Sequence, residues 1–530
     1  LIPGNHDWDD GKRSGWEGVI REQLYVDFFS GKPNAQFLPK DGCPGPVEVN
    51  LGNDVTMILF DSQWWIHPFD KPSIESDCDC KTKEEILTQL EDMIARNSKK
   101  FVVFACHHPF RSNGIHGGYY TLKQHLFPFT DAIKKLYLPL PILGSVYPIA
   151  RSVFGTPQDL PHPNYTNMVN EISKVAKAHR NLVFVAGHEH NLQFIQDSSF
   201  SYIVSGGGCK TGRVSKSKRA PYVAQETGFV VLEVSTNKNV RTTYYTVTPG
   251  ATIDADSIKM AFTTNVLNFS TLPDPTPDST QPKRDVPVAV KFNDTISISA
   301  SEKYPPVHGF KKAMIGQNYR YEWSTPVNMK VFNITREGYT ILSMGGGKQT
   351  KSLRLRDKNG KEWTLRAVDK NPTQALPENF RGTLAQDVVQ EFNSAAHPYG
   401  PMTIYPMAKA TNVVAPDPQL FFIPDDPALG FYQSIFANTV CLLEQRDPSL
   451  DGSDTKSTAK VFNKLIEEND HRADQPAVLR ARLLDILIGD FDRHFDQWKW
   501  ATSDTGKGKL YYPIPRDRDQ AYFNSNGRLL

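Results

Sequence analysis

Side chains able to bind a metal ion or move a proton gather in three short stretches: Gly4-Asn5-His6-Asp7, Cys106-His107-His108-Pro109 and Gly187-His188-Glu189-His190-Asn191. An Asn amide oxygen is a neutral ligand for a hard divalent cation. A histidine titrates near neutrality and can pass a proton to a leaving oxygen, and a nearby carboxylate can orient its ring. Alone, any one of these stretches reads as a turn with a surface histidine. Their setting changes that reading. The second and third each follow an apolar run, Phe101–Ala105 and Leu182–Ala186, and Leu1-Ile2 reads as the end of a buried strand broken by Pro3 and Gly4. Open α/β sheets place their sites beyond the carboxyl ends of strands, and three Asn/His clusters there supply what a metal centre needs. His188 and His190, two apart, would share one face of a strand, with Glu189 between them turned to solvent. His116, His125, His162 and His179 belong to no motif and read as surface or lid residues, and His67 as part of a packed aromatic turn beside Trp64 and Trp65.

Taken together, the three stretches resemble the calcineurin-like metallophosphoesterase family over residues 1–247. The resemblance implies a phosphoester substrate and two divalent metal ions, Fe, Mn or Zn, about 3.5–4 Å apart, which clamp phosphoryl oxygens and acidify a water. It assigns Asn5, His107 and His188 to the second metal and His190 to the first. His6 would be the general acid and Asp7 its orienter. His107 rather than His108 is the implied ligand because the family pattern is His-x-Pro. The family also carries Asp-x-His and Gly-Asp-x-x-Asp (or Tyr) ahead of Gly-Asn-His-Asp. The chain starts inside a motif, so it reads as a fragment whose remaining ligands lie upstream. The reading from another class is a non-catalytic binding scaffold for an envelope partner.

The elements around these residues follow from periodicity. Trp16–Phe29 has helical spacing and Val55–Asp61 reads as a core strand. Lys83–Arg96 is an amphipathic helix with Ile86, Leu87, Leu90, Met93 and Ile94 on one face, leading into the strand before His107. Met168–Ala178 is the next helix, and 228–234 with 240–247 alternates like a final hairpin. The expected fold class is α/β, a layered β-sandwich flanked by helices, followed by a second, α+β kinase-like domain. Residues 114–167 read as an insertion forming a lid. Within it, 136–149 is apolar, aromatic and broken by Pro139, Pro141 and Pro148, so it is no regular spanning helix, and a contact with a membrane surface is the sharper reading. The Thr/Asp/Ser/Pro-rich stretch 248–286 reads as a linker.

In 287–530, three strands at 340–348, 352–357 and 363–370 precede helices at 384–396 and 475–488. Asp492-Arg493-His494-Phe495-Asp496-Gln497 and the later Asp517-Arg518-Asp519 resemble atypical kinases of the spore-coat type. The resemblance implies Mg-ATP, with Asp492 positioning a hydroxyl, Gln497 and Asp517 or Asp519 holding metal, and Arg366 or Lys370, paired with Glu391, contacting phosphate. Gln497 stands where Asn is usual, and Val-Ala-Ile-Lys is missing. The other reading is a degenerate kinase-like fold, or an Asp/Arg ion-pair network, serving as a binding module.

A chain of 530 residues accommodates two or three domains, and its formal net charge of +2 gives no reason to expect nucleic acid as a partner. Six cysteines make no zinc-knuckle pattern. A disulfide from Cys43 to Cys78 or Cys80 and unpaired thiols both remain open. No apolar run reaches the ~18 residues of a membrane span. The linker, the apolar lid and Asn-x-Ser/Thr triplets at Asn164, Asn268, Asn293 and Asn333 suit an exported or envelope protein.

Overall fold

The computed structural model describes residues 1–30, 35–131, 133, 135–248, 257–272, 295–346, 350–371, 376, 380, 383–449 and 455–529. The chain divides into two units, one of residues 1–72 and 78–276, the other of 73–77 and 277–530. Both mix helices with several sheets.

In the first unit a seven-stranded sheet runs in the order β1 (Val47–Leu51), β2 (Val55–Leu59), β3 (Phe101–Ala105), β4 (Leu182–Ala186), β6 (Ser201–Ser205), β5 (Leu192–Gln196), β7 (Tyr222–Ala224). The pairs β2/β3, β3/β4 and β4/β6 are parallel, so their carboxyl ends share one edge. Alternation divides the strand residues between two cores. Val102, Phe104, Phe184 and Tyr202 join helices α1 (Gly15–Ser30), α2 (Ser62–Ile66), α3 (Lys83–Arg96) and α6 (Pro163–Ala176) on one face. Phe101, Val103, Val183 and Ile203 face the opposite way, onto a three-stranded antiparallel sheet of β8 (Gly228–Val234), β9 (Asn239–Val247) and β10 (Ile258–Asn268). The layering is helix, sheet, sheet. Helix α3 begins where Thr82 accepts a hydrogen bond from the Glu85 amide, and it buries Ile86, Leu90 and Ile94.

Two expectations change here, and two readings are filled in. Leu1-Ile2 is not a strand: Leu1 is exposed and is held by backbone contacts to Gln36 and Leu38. The expected linker 248–286 contains β10, which pairs along β9, so the hairpin is not the last element of its sheet. The rest of that stretch, like Asn293, lies outside the described residues apart from 248, 257 and 269–272. The insertion 114–167 forms α4 (Leu122–Leu126) and α5 (Leu143–Phe154), and α5 holds its helix through Pro148. Its end overlaps the start of α6. Of the open cysteine readings, Cys43 pairs with Cys78, and Cys80, Cys106, Cys209 and Cys441 are free thiols.

The second unit holds a mixed seven-stranded sheet in the order β11 (Thr295–Ile298), β12 (Val327–Val331), β16 (Gln419–Ile423), β17 (Thr439–Gln445), β15 (Glu362–Ala367), β14 (Ser352–Arg356), β13 (Thr340–Gly345). A four-stranded sheet has the order β18 (Lys456–Ser457), β20 (Trp498–Asp504), β21 (Lys509–Pro515), β19 (Arg472–Ala473). The three strands read at 340–370 are β13, β14 and β15. The two expected helices are Leu384–Phe392 and Gln475–Leu487.

Candidate metal centre

The site grows from the shared edge of β3 and β4. Because these strands are adjacent and parallel, the residues just past their ends emerge side by side: His107 two residues after β3, His188 two after β4. The Gly4–Asp7 turn reaches the same place. His107 Nε2 stands 2.8 Å from Asn5 Oδ1 and 3.2 Å from His188 Nδ1. The three side chains expected to share one metal are therefore brought together by the fold. His188 reaches its position with a left-handed backbone, φ 62°, in a loop rather than on a strand, so the shared-face argument for His188 and His190 does not apply. Such a conformation in a bulky residue persists only where its surroundings enforce it. Here Gln158 does so, its carbonyl oxygen 2.9 Å from His188 Nε2.

The donor set fits a divalent cation. Ligand atoms ~2.0–2.2 Å from one ion stand roughly 3.0–3.5 Å apart at octahedral or tetrahedral angles, close to the spacing here. Burial, then the charges of neighbouring imidazoles, holds both His107 and His188 well below the ordinary histidine range. Both rings are thus neutral near pH 7, as ligation requires. Among the described residues no three His, Cys, Asp or Glu side chains group around one point, so the Asn5 oxygen is what completes the set. His190 is half-buried on the same loop, lowered by burial and then by Lys210, His116 and His6, but the hydrogen bonds that join the other three do not include it.

The expected His6–Asp7 pair is replaced. Asp7 folds back within its own turn and accepts the Gly4 amide at 2.6 Å. His6 Nδ1 instead lies 2.7 Å from Asp10 Oδ1, one turn further on, with both side chains exposed. His108 is wholly buried between Ser62 Oγ and Gln158 Oε1, at 2.8 and 2.7 Å, and is a packing residue. Glu189 is not solvent-facing. It is buried and accepts hydrogen bonds from Ser112 Oγ at 2.6 Å and the Gly117 amide at 3.2 Å.

That carboxylate anchors a loop whose importance the sequence did not show. His116, read as a lid residue, places its ring centroid 4.1 Å from that of His188. Its Nδ1 lies 2.8 Å from Asp159 Oδ1, which leaves Nε2 as the free ring atom. Asp159 is fully buried and also accepts from Arg151 and Thr156. Burial alone would raise its pKa, but these donors outweigh it and hold the carboxyl below the usual range. The available signal was Gly-Ile-His-Gly-Gly: a side chain on Gly114 would meet the Glu189 carboxylate at 2.2 Å, so this loop closes only with glycine there.

In the second unit, Arg366 Nη1 is 2.5 Å from Asp517 Oδ2, and Lys370 Nζ is 2.5 Å from Asp519 Oδ2. Gln497 Nε2 donates to Asp492 Oδ2 at 3.3 Å. The two motifs lie side by side, since the Arg516 amide donates to the Gln497 carbonyl at 2.8 Å. Glu391, expected beside Arg366 or Lys370, pairs with Arg320 and Lys311 instead.

No protein-family model and no curated protein matches the chain. Among solved structures it is similar to one described as GAP50, the anchor in the inner membrane complex of Plasmodium. The identity is 16% over 49% of this chain and 66% of that one, with a TM-score of 0.26. A likeness of that size decides neither fold nor function.

Proposed function

We propose that the first unit is a metal-dependent phosphoester hydrolase of the calcineurin-like kind, with Asn5, His107 and His188 holding a divalent ion. The observation that carries this reading is the convergence of Asn5 Oδ1, His107 Nε2 and His188 Nδ1 at the carboxyl edge of two parallel strands. The two-sheet layering beneath that edge suits the same reading. The ion, when bound, supplies positive charge for phosphoryl oxygens and lowers the pKa of water. His6, held through Nδ1 by Asp10, presents Nε2 for proton transfer to the leaving oxygen. His116, held through Nδ1 by Asp159, presents a second Nε2 for a hydrogen bond to a phosphoryl oxygen. His190 is the residue left for a second ion. In calorimetric titration with Zn²⁺ or Mn²⁺, His188→Ala and Asn5→Ala should each weaken binding by about 10- to 100-fold, the scale of losing a well-placed group at a metal site. Aryl-phosphate hydrolysis should fall in parallel while the thermal midpoint stays near that of the unaltered protein. Unchanged metal affinity in both variants would sink the assignment.

For the second unit, the adjacency of the Asp492/Gln497 and Asp517/Asp519 stretches favours a kinase-like reading, with Mg-ATP as ligand. Asp517 and Asp519 lie in one half-buried cluster with Arg366 and Lys370, which suits a metal–phosphate site. Mg-ATP should raise the melting temperature of the protein, and Asp519→Asn should remove the rise. No shift with Mg-ATP counts against this reading.

A further inference from the structure

Helix α5 is inside out. Its inward side is small or polar: Gly144 and Pro148 are buried, Arg151 binds Asp159, and Ser152 Oγ donates to the Gly118 carbonyl at 2.7 Å. Its outward side carries Leu143, Val146, Tyr147, Ile149, Val153 and Phe154, each more than half exposed, with Leu143 and Phe154 at 71%. The loop before it extends the same surface through Leu136–Leu138 and Ile142, the last 86% exposed. A contiguous apolar patch of this kind on a folded surface marks a binding face. Its charge says what it meets. With Arg151 turned inward onto Asp159, the sequence between Tyr119 and Phe154 has three lysines, Lys123, Lys134 and Lys135, against one acidic residue, Asp131. Apolar side chains bordered by lysines and tyrosines are the composition of a helix that lies in the interface of an anionic bilayer. With 12 residues α5 is too short to cross a bilayer, so its own contact is with the surface.

We propose that the outward face of α5, with the 136–142 loop, seats on an anionic lipid bilayer. The polar anchors on its inner side fix the helix to the body of the unit, so it meets the bilayer as a rigid platform. The lysines draw the face toward negative headgroups, and the apolar side chains add to this as they leave water. Binding should therefore need both negative lipid and the apolar face.

The test is flotation of the protein with vesicles of equal parts phosphatidylcholine and phosphatidylglycerol, and with phosphatidylcholine alone. The unaltered protein should float with the anionic vesicles, and partition at least tenfold less onto the neutral ones or in high salt. Val146→Glu with Phe154→Glu should cut anionic binding by at least tenfold at an unchanged melting temperature, since neither side chain packs inside the fold. Amide exchange in the unaltered protein, which depends on no variant, should slow over 136–154 when anionic vesicles are present. Failure to float, equal binding by the variant, or no protection in that segment would overturn the proposal. So would an α5 face that proves to be covered by a second copy, with the unaltered protein a dimer that ignores vesicles and the variant a monomer.

Discussion

Gly4 shows how closely single atoms are held at the metal centre. A Cβ at that position would stand 2.6 Å from His107 Nδ1, so Gly4→Ala must push the imidazole away from Asn5 and His188. The expected result is at least ~10-fold weaker Zn²⁺ or Mn²⁺ binding and a stability loss of about 1–3 kcal/mol, as for other overpacked sites, read by titration and denaturant unfolding. Gly208→Ala is the control, because nothing lies within 4 Å of its added carbon. An equal effect of the two changes would argue against the geometry. The same atoms explain which site residues could be read from the chain. Asn5, His107 and His188 were readable because each sits at a break after apolar residues. His116 and Asp159 were not, because their pairing spans 43 residues and the glycines around His116 do not point to Asp159. Asp7 was misassigned because adjacency in sequence is not adjacency in a turn: its carboxylate closes on the amide three residues back, and Asp10 reaches the imidazole.

Helices and strands with strong periodicity were read nearly to the residue. Lys83–Arg96 and the strands Phe101–Ala105 and Leu182–Ala186 match the observed bounds. β10 was missed because it was read with its neighbours: six of its eleven residues are apolar, but the stretch around it is rich in Thr, Asp, Ser and Pro. Its evidence is a partner strand, which composition does not contain. α5 is short of a spanning helix, as expected, and it still runs through Pro148, which sits on its inner side where packing tolerates it. The disulfide between Cys43 and Cys78 ties the loop before β1 to the segment before α3 across 35 residues. Closing a loop of that size restricts the unfolded chain by about 3–4 kcal/mol. Cys43→Ser with Cys78→Ser should lower the unfolding free energy of the first unit by that amount in guanidinium titrations. A loss below ~1 kcal/mol would mean that the bridge does not form in solution.

The two units carry different buried charges and should respond differently to acid. In the first, His67 and His179 are buried and each is pushed down to about 4, chiefly by burial. The unfolded chain takes up protons at these rings below its ordinary pKa near 6.5, and the folded unit does so only near 4. Stability is therefore lost as pH falls between those values. Asp61 opposes this. Burial raises its carboxyl to about 7 against hydrogen bonds from Trp64 and Trp8, so its own contribution improves as pH falls toward 4. His107, His108 and His188 are held down in the same way, so the rings outnumber the carboxyl, and each unbalanced proton adds a slope of about 1.4 kcal/mol per pH unit. In the second unit the key group is Asp517. Burial would raise it, but the Arg366 guanidinium prevails and holds it down at about 2. The stability it provides is present above the ordinary carboxylate pKa near 4 and is lost only as pH falls from there toward 2. Acidification should thus unfold the molecule in two steps, the first unit between pH 6.5 and 4 and the second below pH 4. Amide exchange resolved by peptide across a pH series would assign each step to its unit. His179→Gln should flatten the first step without moving the second, and Arg366→Gln should draw the second step upward in pH and leave the first alone. A single transition carrying both units together would show that they do not unfold independently.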